Sequence, residues 1–163
     1  MHLGVVSDTH GDLPRTRLAV ELLHRQPLAA VLHCGDIVSA EVIPLFNPWE
    51  THFVFGNCDA ALAQMRRTMQ DCGQTCHERF GSLTIGGRKI AFLHGDDPVK
   101  FDESVRCGEY DLVCYGHTHK FEHHQVGNTL VLNPGAIHRA NPHSIAIVNL
   151  ETMEVTQLLL PSL

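Results

Sequence analysis

Short apolar runs alternate with amphipathic stretches over the first two-thirds of the chain. Apolar runs of this length, bounded by turn-forming residues, are typical of buried β-strands. The runs that predict strands in this part are residues 3–7, 29–33, 51–55, 90–93 and 112–115. Because helical stretches lie between several of them, we expect βα units and a partly parallel sheet.

Three amphipathic stretches predict helices between these strands. The first covers residues 14–26 and begins at Pro14, a residue favoured in the first helical turn. The second follows Asp59, which we expect to cap it. The third is predicted from Asp97-Pro98, as N-cap and first helical residue, to about Arg106.

The last third of the chain has the pattern of antiparallel hairpins. Strand-like runs flank Gly127-Asn128 and Glu151-Thr152 there, and a similar pair flanks the earlier Gly86-Gly87. The paired runs are residues 83–85 with 90–93, 121–126 with 129–132, and 144–150 with 153–160. An α/β half that continues into an antiparallel half predicts two packed sheets with helices outside.

Length and composition predict one globular domain that spans residues 1–163. Hydrophobic residues make up 44% of the chain and charged residues 18%, as in ordinary globular proteins. No apolar run approaches the ~18–20 residues of a membrane helix, and the N-terminus lacks the pattern of a signal peptide. We therefore expect a cytoplasmic protein with no membrane partner.

Charge and cysteine content indicate which class of partner and which cellular compartment are favoured. The net charge is −6 without a Lys/Arg cluster, which makes a nucleic-acid polymer an unfavourable partner. Cys34 and Cys114 lie in apolar runs, where a thiol packs as a small hydrophobe. Cys72 and Cys76 are spaced too loosely for a zinc knuckle. The pattern favours a reducing compartment.

Polar motifs follow five of the apolar strands, each at the carboxyl end. The ends of neighbouring parallel strands meet at one crevice, so we expect these motifs to converge. Their side chains are carboxylates, imidazoles and amides, the mixed ligands of a divalent first-row metal. The motifs are Asp8-Thr9-His10, Gly35-Asp36, Gly56-Asn57-Cys58-Asp59, His94-Gly95-Asp96 and Gly116-His117-Thr118-His119.

Spacing within the motifs supports a metal site. In an extended segment positions i and i+2 face the same way, which pairs Asp8 with His10 and His117 with His119. Adjacent glycines allow sharp turns and a close approach of the backbone to a ligand. Thirteen histidines in 163 residues add weak support.

The ordered series of motifs resembles the calcineurin-like metallophosphoesterase superfamily. Gly56-Asn57-Cys58-Asp59 and the later Asn133-Pro134-Gly135 are similar to its small bacterial and archaeal phosphodiesterase branch. The resemblance covers residues 3 to about 149. It implies an α/β fold, a four-layer α/β/β/α sandwich of two mixed β-sheets flanked by helices.

The resemblance also implies a site with two divalent metal ions. One would be bound by Asp8, His10, Asp36 and His119, and the other by Asp36, Asn57, His94 and His117. Asp36, Asn57 and His94 are the expected catalytic residues. Mn²⁺ is the expected metal, and Fe, Ni²⁺ or Zn²⁺ suit the same ligands. Such a pair hydrolyses a small phosphate ester, here most simply a phosphodiester, through a bridging hydroxide.

The chain departs from many superfamily members beside the metal-binding asparagine. Those members have a histidine there that protonates the leaving group or contacts phosphate, and this chain has Cys58. A thiol lacks the cationic imidazole that attracts phosphate, which puts strong monoester hydrolysis in doubt. Cys58 and Asp96 are candidate residues for substrate contact or for support of the ligands. Asp96 either orients a histidine or closes a turn.

Other polar residues near the motifs have structural interpretations. Asp12 is expected to be a turn or capping residue. His33 is expected to be a packed histidine, and Asn133 is used only as a marker of the family. His138 and His143 are candidates for a substrate rim, although most loop residues have no such role.

Two other functions compete with the enzyme. The retromer scaffold subunit of eukaryotes resembles this fold and has altered ligands, whereas this chain has all seven, which favours catalysis. Repair nucleases share the motifs but carry extra domains and a basic surface. The natural substrate and the oligomeric state are left open.

Overall fold

Eleven strands, three α-helices and one 3₁₀ helix make up the chain, and residues 1–163 are all described in this computed structural model. The helices are α1 (Leu13–His24), α2 (Leu62–Asp71), α3 (Pro98–Arg106) and a 3₁₀ helix (Ala40–Phe46). None of these helices is long and apolar enough to cross a lipid bilayer.

The first sheet has six strands in the order β11-β10-β1-β2-β3-β4. Strands β1, β2, β3 and β4 are parallel to one another, while β10 is antiparallel to both β1 and β11. The strands are β1 (His2–Val6), β2 (Leu28–His33), β3 (Thr51–Phe53), β4 (Thr75–Cys76), β10 (Ser144–Asn149) and β11 (Val155–Leu159).

The second sheet has five strands in the order β5-β6-β7-β9-β8. Its central pairs β6/β7 and β7/β9 are parallel, and its outer pairs β5/β6 and β8/β9 are antiparallel hairpins. The strands are β5 (Phe80–Ile85), β6 (Arg88–Leu93), β7 (Leu112–Cys114), β8 (Phe121–Val126) and β9 (Thr129–Pro134).

Three clusters of buried apolar side chains separate four layers. Leu3 and Phe92 belong to the cluster between the two sheets. Leu23 belongs to the cluster between the first sheet and α1, α2 and the 3₁₀ helix, and Val105 to the cluster under α3. Fully burying a side chain such as Leu or Phe contributes about 1.5–3 kcal/mol. The arrangement confirms the α/β/β/α sandwich with two mixed sheets.

The structure follows the sequence pattern for the longer elements and differs for the short ones. All three helices and the three hairpins are present, and Asp12 and Asp97 cap α1 and α3 as predicted. The pattern missed the 3₁₀ helix, which contains Pro44, and β4, whose two residues are too few to show alternation. Strand β5 begins at Phe80, three residues before the predicted start.

Candidate metal centre

The seven predicted ligands meet where five parallel strands end. In the first sheet, Asp8 and His10 follow β1, Asp36 follows β2 and Asn57 follows β3. The second sheet adds His94 after β6, and His117 and His119 after β7. The two sheets are joined here directly, because the backbone N–H of His117 donates to Asp8 Oδ2 at 3.2 Å.

One group of side chains surrounds Asp8. His119 Nε2 lies 3.1 Å from Asp8 Oδ1, and His10 Nε2 lies 3.7 Å from the same oxygen. His10 Nε2 is also 3.4 Å from Asp36 Oδ2. One nitrogen or oxygen from each of Asp8, His10 and His119 fits within 4.8 Å of the others, a spacing that suits a single cation.

A second group lies on the other side of Asp36. His94 Nε2 is 3.3 Å from Asp36 Oδ2 and 4.0 Å from Asp8 Oδ1. His117 Nδ1 is 3.1 Å from Asn57 Oδ1, and its ring centroid is 5.1 Å from that of His94. Asp36 therefore lies between His10 and His94, in the position of a shared ligand.

Three of these ligand atoms are buried without a hydrogen-bond partner. They are Asp8 Oδ1, His10 Nε2 and His94 Nε2. The 3.1 Å contact between His119 Nε2 and Asp8 Oδ1 is not aligned as a hydrogen bond. Leaving a buried polar atom unpaired costs about 1–3 kcal/mol, so cations that pair these atoms would stabilise the site. Divalent cations fit this donor set.

Backbone carbonyls orient two of the histidines. His94 Nδ1 is 2.8 Å from the Cys34 carbonyl oxygen, and His119 Nδ1 is 3.1 Å from the Arg139 carbonyl oxygen. A carbonyl only accepts, so Nδ1 carries the proton in both rings and Nε2 offers its lone pair to the site. Metal-binding histidines are commonly held in this way.

Five of the seven ligands have left-handed backbone conformations. Asp8, His10, Asp36, His117 and His119 have φ angles of 55°, 46°, 54°, 66° and 60°. For residues other than glycine each such conformation costs of the order of 1–3 kcal/mol and persists only where surrounding contacts hold it. The cluster of outliers marks this edge of the sheets as a functional site.

Asn133 holds the loop that carries His117 and His119. Its side chain is fully buried at the end of β9. Nδ2 donates to the Gly116 carbonyl oxygen at 2.8 Å and to Thr118 Oγ1 at 3.0 Å, and Oδ1 accepts from the Gly135 N–H at 3.0 Å. The sequence did not indicate that Asn133 holds this loop, because no local pattern signals a contact with a loop some fifteen residues away.

The prediction that Asp59 caps α2 is wrong. The helix begins at Leu62 with Ala61 at the N-cap position and no capping side chain. Asp59 instead accepts from the N–H groups of Val38 and Gly56, each at 2.7 Å. The Asp59 carboxylate therefore binds both the loop that carries Asp36 and the loop that carries Asn57, and it holds the two loops together.

Cys58 lies against the predicted ligands, and Asp96 pairs with an arginine. The Cys58 N–H donates to Asp36 Oδ1 at 2.8 Å, and its thiol lies within 4.8 Å of His10 and Asp36 ligand atoms. The Asp36 carboxylate raises the pKa of the exposed Cys58 thiol. Asp96 bonds to Arg79, which also donates to the Gly56 carbonyl oxygen. Of its two alternatives, Asp96 does not orient a histidine.

Two histidines outside the predicted ligand set lie near the site. His33 is fully buried, stacks on Phe53 and contacts Thr9 Oγ1 at 3.0 Å, so it is packed as predicted. His138 lies beside the site, with its ring centroid 5.6 Å from that of His10. Its Nδ1 is 2.8 Å from Asp12 Oδ2.

Protonation of the metal-free site follows from its close charges. Burial opposes ionisation of Asp8, but the close His10 and His119 rings hold its pKa well below the usual range. Burial likewise opposes ionisation of Asp36, but His94 and the Cys58 N–H lower its pKa to about 2. The Asp8 carboxylate raises the pKa of His119. For His94, burial lowers the pKa, but the Asp36 and Asp8 carboxylates and the Cys34 carbonyl oxygen together raise it by more.

Comparison with known proteins agrees with this geometry. The family model of the calcineurin-like phosphoesterase superfamily domain matches residues 1–153. "Phosphodiesterase MJ0936" of Methanocaldococcus jannaschii is 31% identical over 98% of this chain and 99% of its own, and "Probable metallophosphoesterase YsnB" of Bacillus subtilis is 29% identical over 96% and 88%. A solved structure described as a novel archaeal phosphodiesterase has a TM-score of 0.91, 31% identity, and coverage of 98% and 100%.

Proposed function

Because this chain belongs to the calcineurin-like phosphoesterase superfamily, as its motifs predicted, we propose that it is a binuclear metal-dependent phosphodiesterase. Its substrate is a small phosphate ester, and the net charge of −6 disfavours a nucleic-acid polymer. The activity resides in one domain that spans residues 1–163. The two curated relatives described above are named as a phosphodiesterase and a probable metallophosphoesterase.

The observation that carries the proposal is the set of buried, unpaired ligand atoms. Asp8 Oδ1, His10 Nε2 and His94 Nε2 face one another without hydrogen-bond partners. A purely structural cluster of this kind would be satisfied internally, because buried polar groups in native proteins almost always are. The unpaired atoms therefore support a site that binds cations.

The seven predicted ligands divide into two sets, one for each ion, that share the Asp36 carboxylate. Asp36 lies 3.4 Å from His10 and 3.3 Å from His94, so it serves both. Two bound cations lower the pKa of a water molecule and neutralise charge on the phosphoryl oxygens. Mn²⁺ is the proposed metal, and Fe, Ni²⁺ and Zn²⁺ suit the same donors. The two sets are Asp8, His10, Asp36 and His119, and Asp36, Asn57, His94 and His117.

The chain itself fixes the orientation of these groups. The Cys34 and Arg139 carbonyl oxygens keep His94 and His119 in the form that offers Nε2. The low pKa of Asp36 keeps it ionised at neutral pH. The raised pKa of the Cys58 thiol keeps it protonated, so it is not the nucleophile.

A non-catalytic scaffold is the competing function, and nothing specific in this site favours it. Vps29 from Entamoeba histolytica shares the fold, with a TM-score of 0.68 at 19% identity. That identity shows a shared fold alone. Retention of all seven ligand side chains at one edge favours catalysis.

The compartment follows from the thiols. All six cysteines are free, and two of them, Cys34 and Cys114, are buried in the core. A chain with this many unpaired cysteines suits a reducing environment. We therefore propose a cytoplasmic location.

The test measures metal content and hydrolysis on the same samples. We expect the purified protein to hydrolyse bis(p-nitrophenyl) phosphate, to lose this activity on exhaustive chelation and to regain it with Mn²⁺. His10→Ala should hold one of the two ions more weakly and lose activity, whereas His124→Ala, at an exposed histidine on β8, should keep both ions and the activity. Equal rates before and after chelation would refute metal dependence. Tight metal binding without turnover of any ester would favour the scaffold.

A further inference from the structure

An arginine follows the Asn-Pro-Gly turn and is tied by its backbone to the metal centre. Arg139 lies between β9 and β10, and its carbonyl oxygen is 3.1 Å from His119 Nδ1. The preceding residue, His138, donates its N–H to the Asp8 carbonyl oxygen at 3.0 Å. The His138 N–H and the Arg139 carbonyl oxygen are therefore bonded to Asp8 and His119, and this His138-Arg139 segment forms part of the rim.

Arg139 has an unfavourable backbone conformation that these contacts maintain. Arg139 has a φ of 51°, a left-handed conformation that is uncommon for a residue other than Gly, Asn, Asp or His. Beside it, the His138 ring is held by Asp12, which also pairs with Arg15. Non-glycine residues in this conformation concentrate at sites where the position of the side chain matters.

The Arg139 side chain is exposed and has no carboxylate partner. Other arginines near the site are neutralised, Arg15 by Asp12 and Arg79 by Asp96. Arg139 is therefore an arginine with an unpaired guanidinium whose backbone is bonded to a centre that is rich in carboxylates. At the position where related enzymes have a phosphate-attracting histidine, this chain has Cys58, which brings no cation.

We propose that the Arg139 guanidinium binds the phosphoryl group of the substrate and so raises the affinity of the site for phosphate groups of higher negative charge. The inference rests on the proposed phosphoesterase function and adds a specificity-determining residue to it. A guanidinium offers a planar pair of N–H donors that matches two phosphate oxygens. It attracts a phosphomonoester dianion more strongly than a diester monoanion, because the interaction scales with charge.

The test separates phosphate binding from metal binding and from turnover. Arg139→Asn removes the charge with a residue that tolerates the left-handed conformation, and Arg139→Lys keeps the charge but not the paired donors. Arg25→Gln is the matched control, because Arg25 is also exposed and unpaired but follows the C-terminal end of α1. Three quantities are measured on Mn²⁺-loaded protein. They are metal content by elemental analysis, the Kd of inorganic phosphate by calorimetry, and kcat/KM for p-nitrophenyl phosphate and bis(p-nitrophenyl) phosphate.

We expect Arg139→Asn to keep its metal and to bind inorganic phosphate about tenfold more weakly, which corresponds to about 1.4 kcal/mol. The ratio of monoester to diester kcat/KM should fall, Arg139→Lys should be intermediate, and Arg25→Gln should match the wild type. An unchanged phosphate Kd and ester ratio in metal-loaded Arg139→Asn would overturn the proposal. Loss of metal from Arg139→Asn but not from Arg139→Lys would also overturn it, because the residue would then act only through His119. If the wild type hydrolyses neither ester, the proposed function fails, while the phosphate Kd still decides the role of Arg139.

Discussion

Replacing Asn133 by Ala tests whether the second sheet positions the metal-binding histidines. The substitution removes three hydrogen bonds, two to Gly116 and Thr118 in the histidine loop and one from Gly135. A typical intramolecular hydrogen bond contributes about 1 kcal/mol net, so the free energy of unfolding of the metal-free protein should fall by about 3 kcal/mol. The Gly135 N–H has no other hydrogen-bond acceptor, which keeps the estimate from being smaller.

The effect on metal binding is separate from the effect on stability. His117 and His119 have left-handed conformations that the Asn133 contacts help to hold, so without them the loop can relax and move both imidazoles. Loss of a residue that supports a metal ligand commonly weakens metal binding about 10–100-fold. We therefore expect Asn133→Ala to bind Mn²⁺ 10–100-fold more weakly while it is still folded.

The assay is a urea titration in chelator, for stability, and a calorimetric Mn²⁺ titration below the unfolding transition. Asn128→Ala is the matched control, because Asn128 is exposed in the β8–β9 turn and its side chain makes no hydrogen bond. Destabilisation by about 3 kcal/mol with wild-type Mn²⁺ affinity would refute the positioning role and leave Asn133 a purely structural residue. Wild-type stability in Asn133→Ala would show that the three hydrogen bonds of Asn133 do not contribute the expected ~3 kcal/mol to the free energy of unfolding.

Three further outcomes follow from the same geometry. Gly116→Ala should lose metal, because a Cβ there would overlap Ser7 Oγ and lie 2.7 Å from Asp8 Oδ2; elemental analysis of the purified variant checks this. Asp36→Ala should lose both metal ions, whereas His10→Ala should mainly weaken one, and two tightly held ions in Asp36→Ala would disprove the shared carboxylate. Metal binding needs a neutral imidazole and the pKa of His119 is raised in the metal-free protein, so Mn²⁺ affinity should fall as the pH drops through that raised pKa; a pH-independent affinity would contradict it.

Periodicity was sufficient for the long elements and for the convergence of the motifs. Buried parallel strands give apolar runs and the helices give a 3.6-residue pattern, so the order of elements is visible in the chain. The positions of the motifs at strand ends then place Asp8 and His117 together, although they are separated by more than a hundred residues. That inference depends on sheet topology alone, which explains why it succeeded for both sheets.

Contacts between loops were not predictable in the same way. Asp59 has the local sequence of a helix cap, and only the folded arrangement shows that Val38 and Gly56 lie close enough to take its carboxylate. Asn133 gave no signal beyond its place before a Pro-Gly turn. Arg139 gave none, because the sequence does not show that its carbonyl oxygen faces His119. Short-range patterns describe what a residue can do, and long-range packing decides which option it takes.

The left-handed loops also explain why these residue types suit the site. Asp and His are among the few non-glycine types enriched at positive φ, so the side chains that bind metals are also those that tolerate tight turns at strand ends. Glycine serves where φ is larger, as at Gly35 and Gly95, with 93° and 98°. Val38 and Arg139 do not belong to either class, yet they have φ angles of 67° and 51° beside the same site. For Val38 the Asp59 bond supplies a structural reason. For Arg139 the bonds of the His138 N–H to Asp8 and of its own carbonyl oxygen to His119 fix the backbone but leave the guanidinium unpaired. A contact with the substrate, as proposed above, would explain why an arginine is kept in this unfavourable conformation.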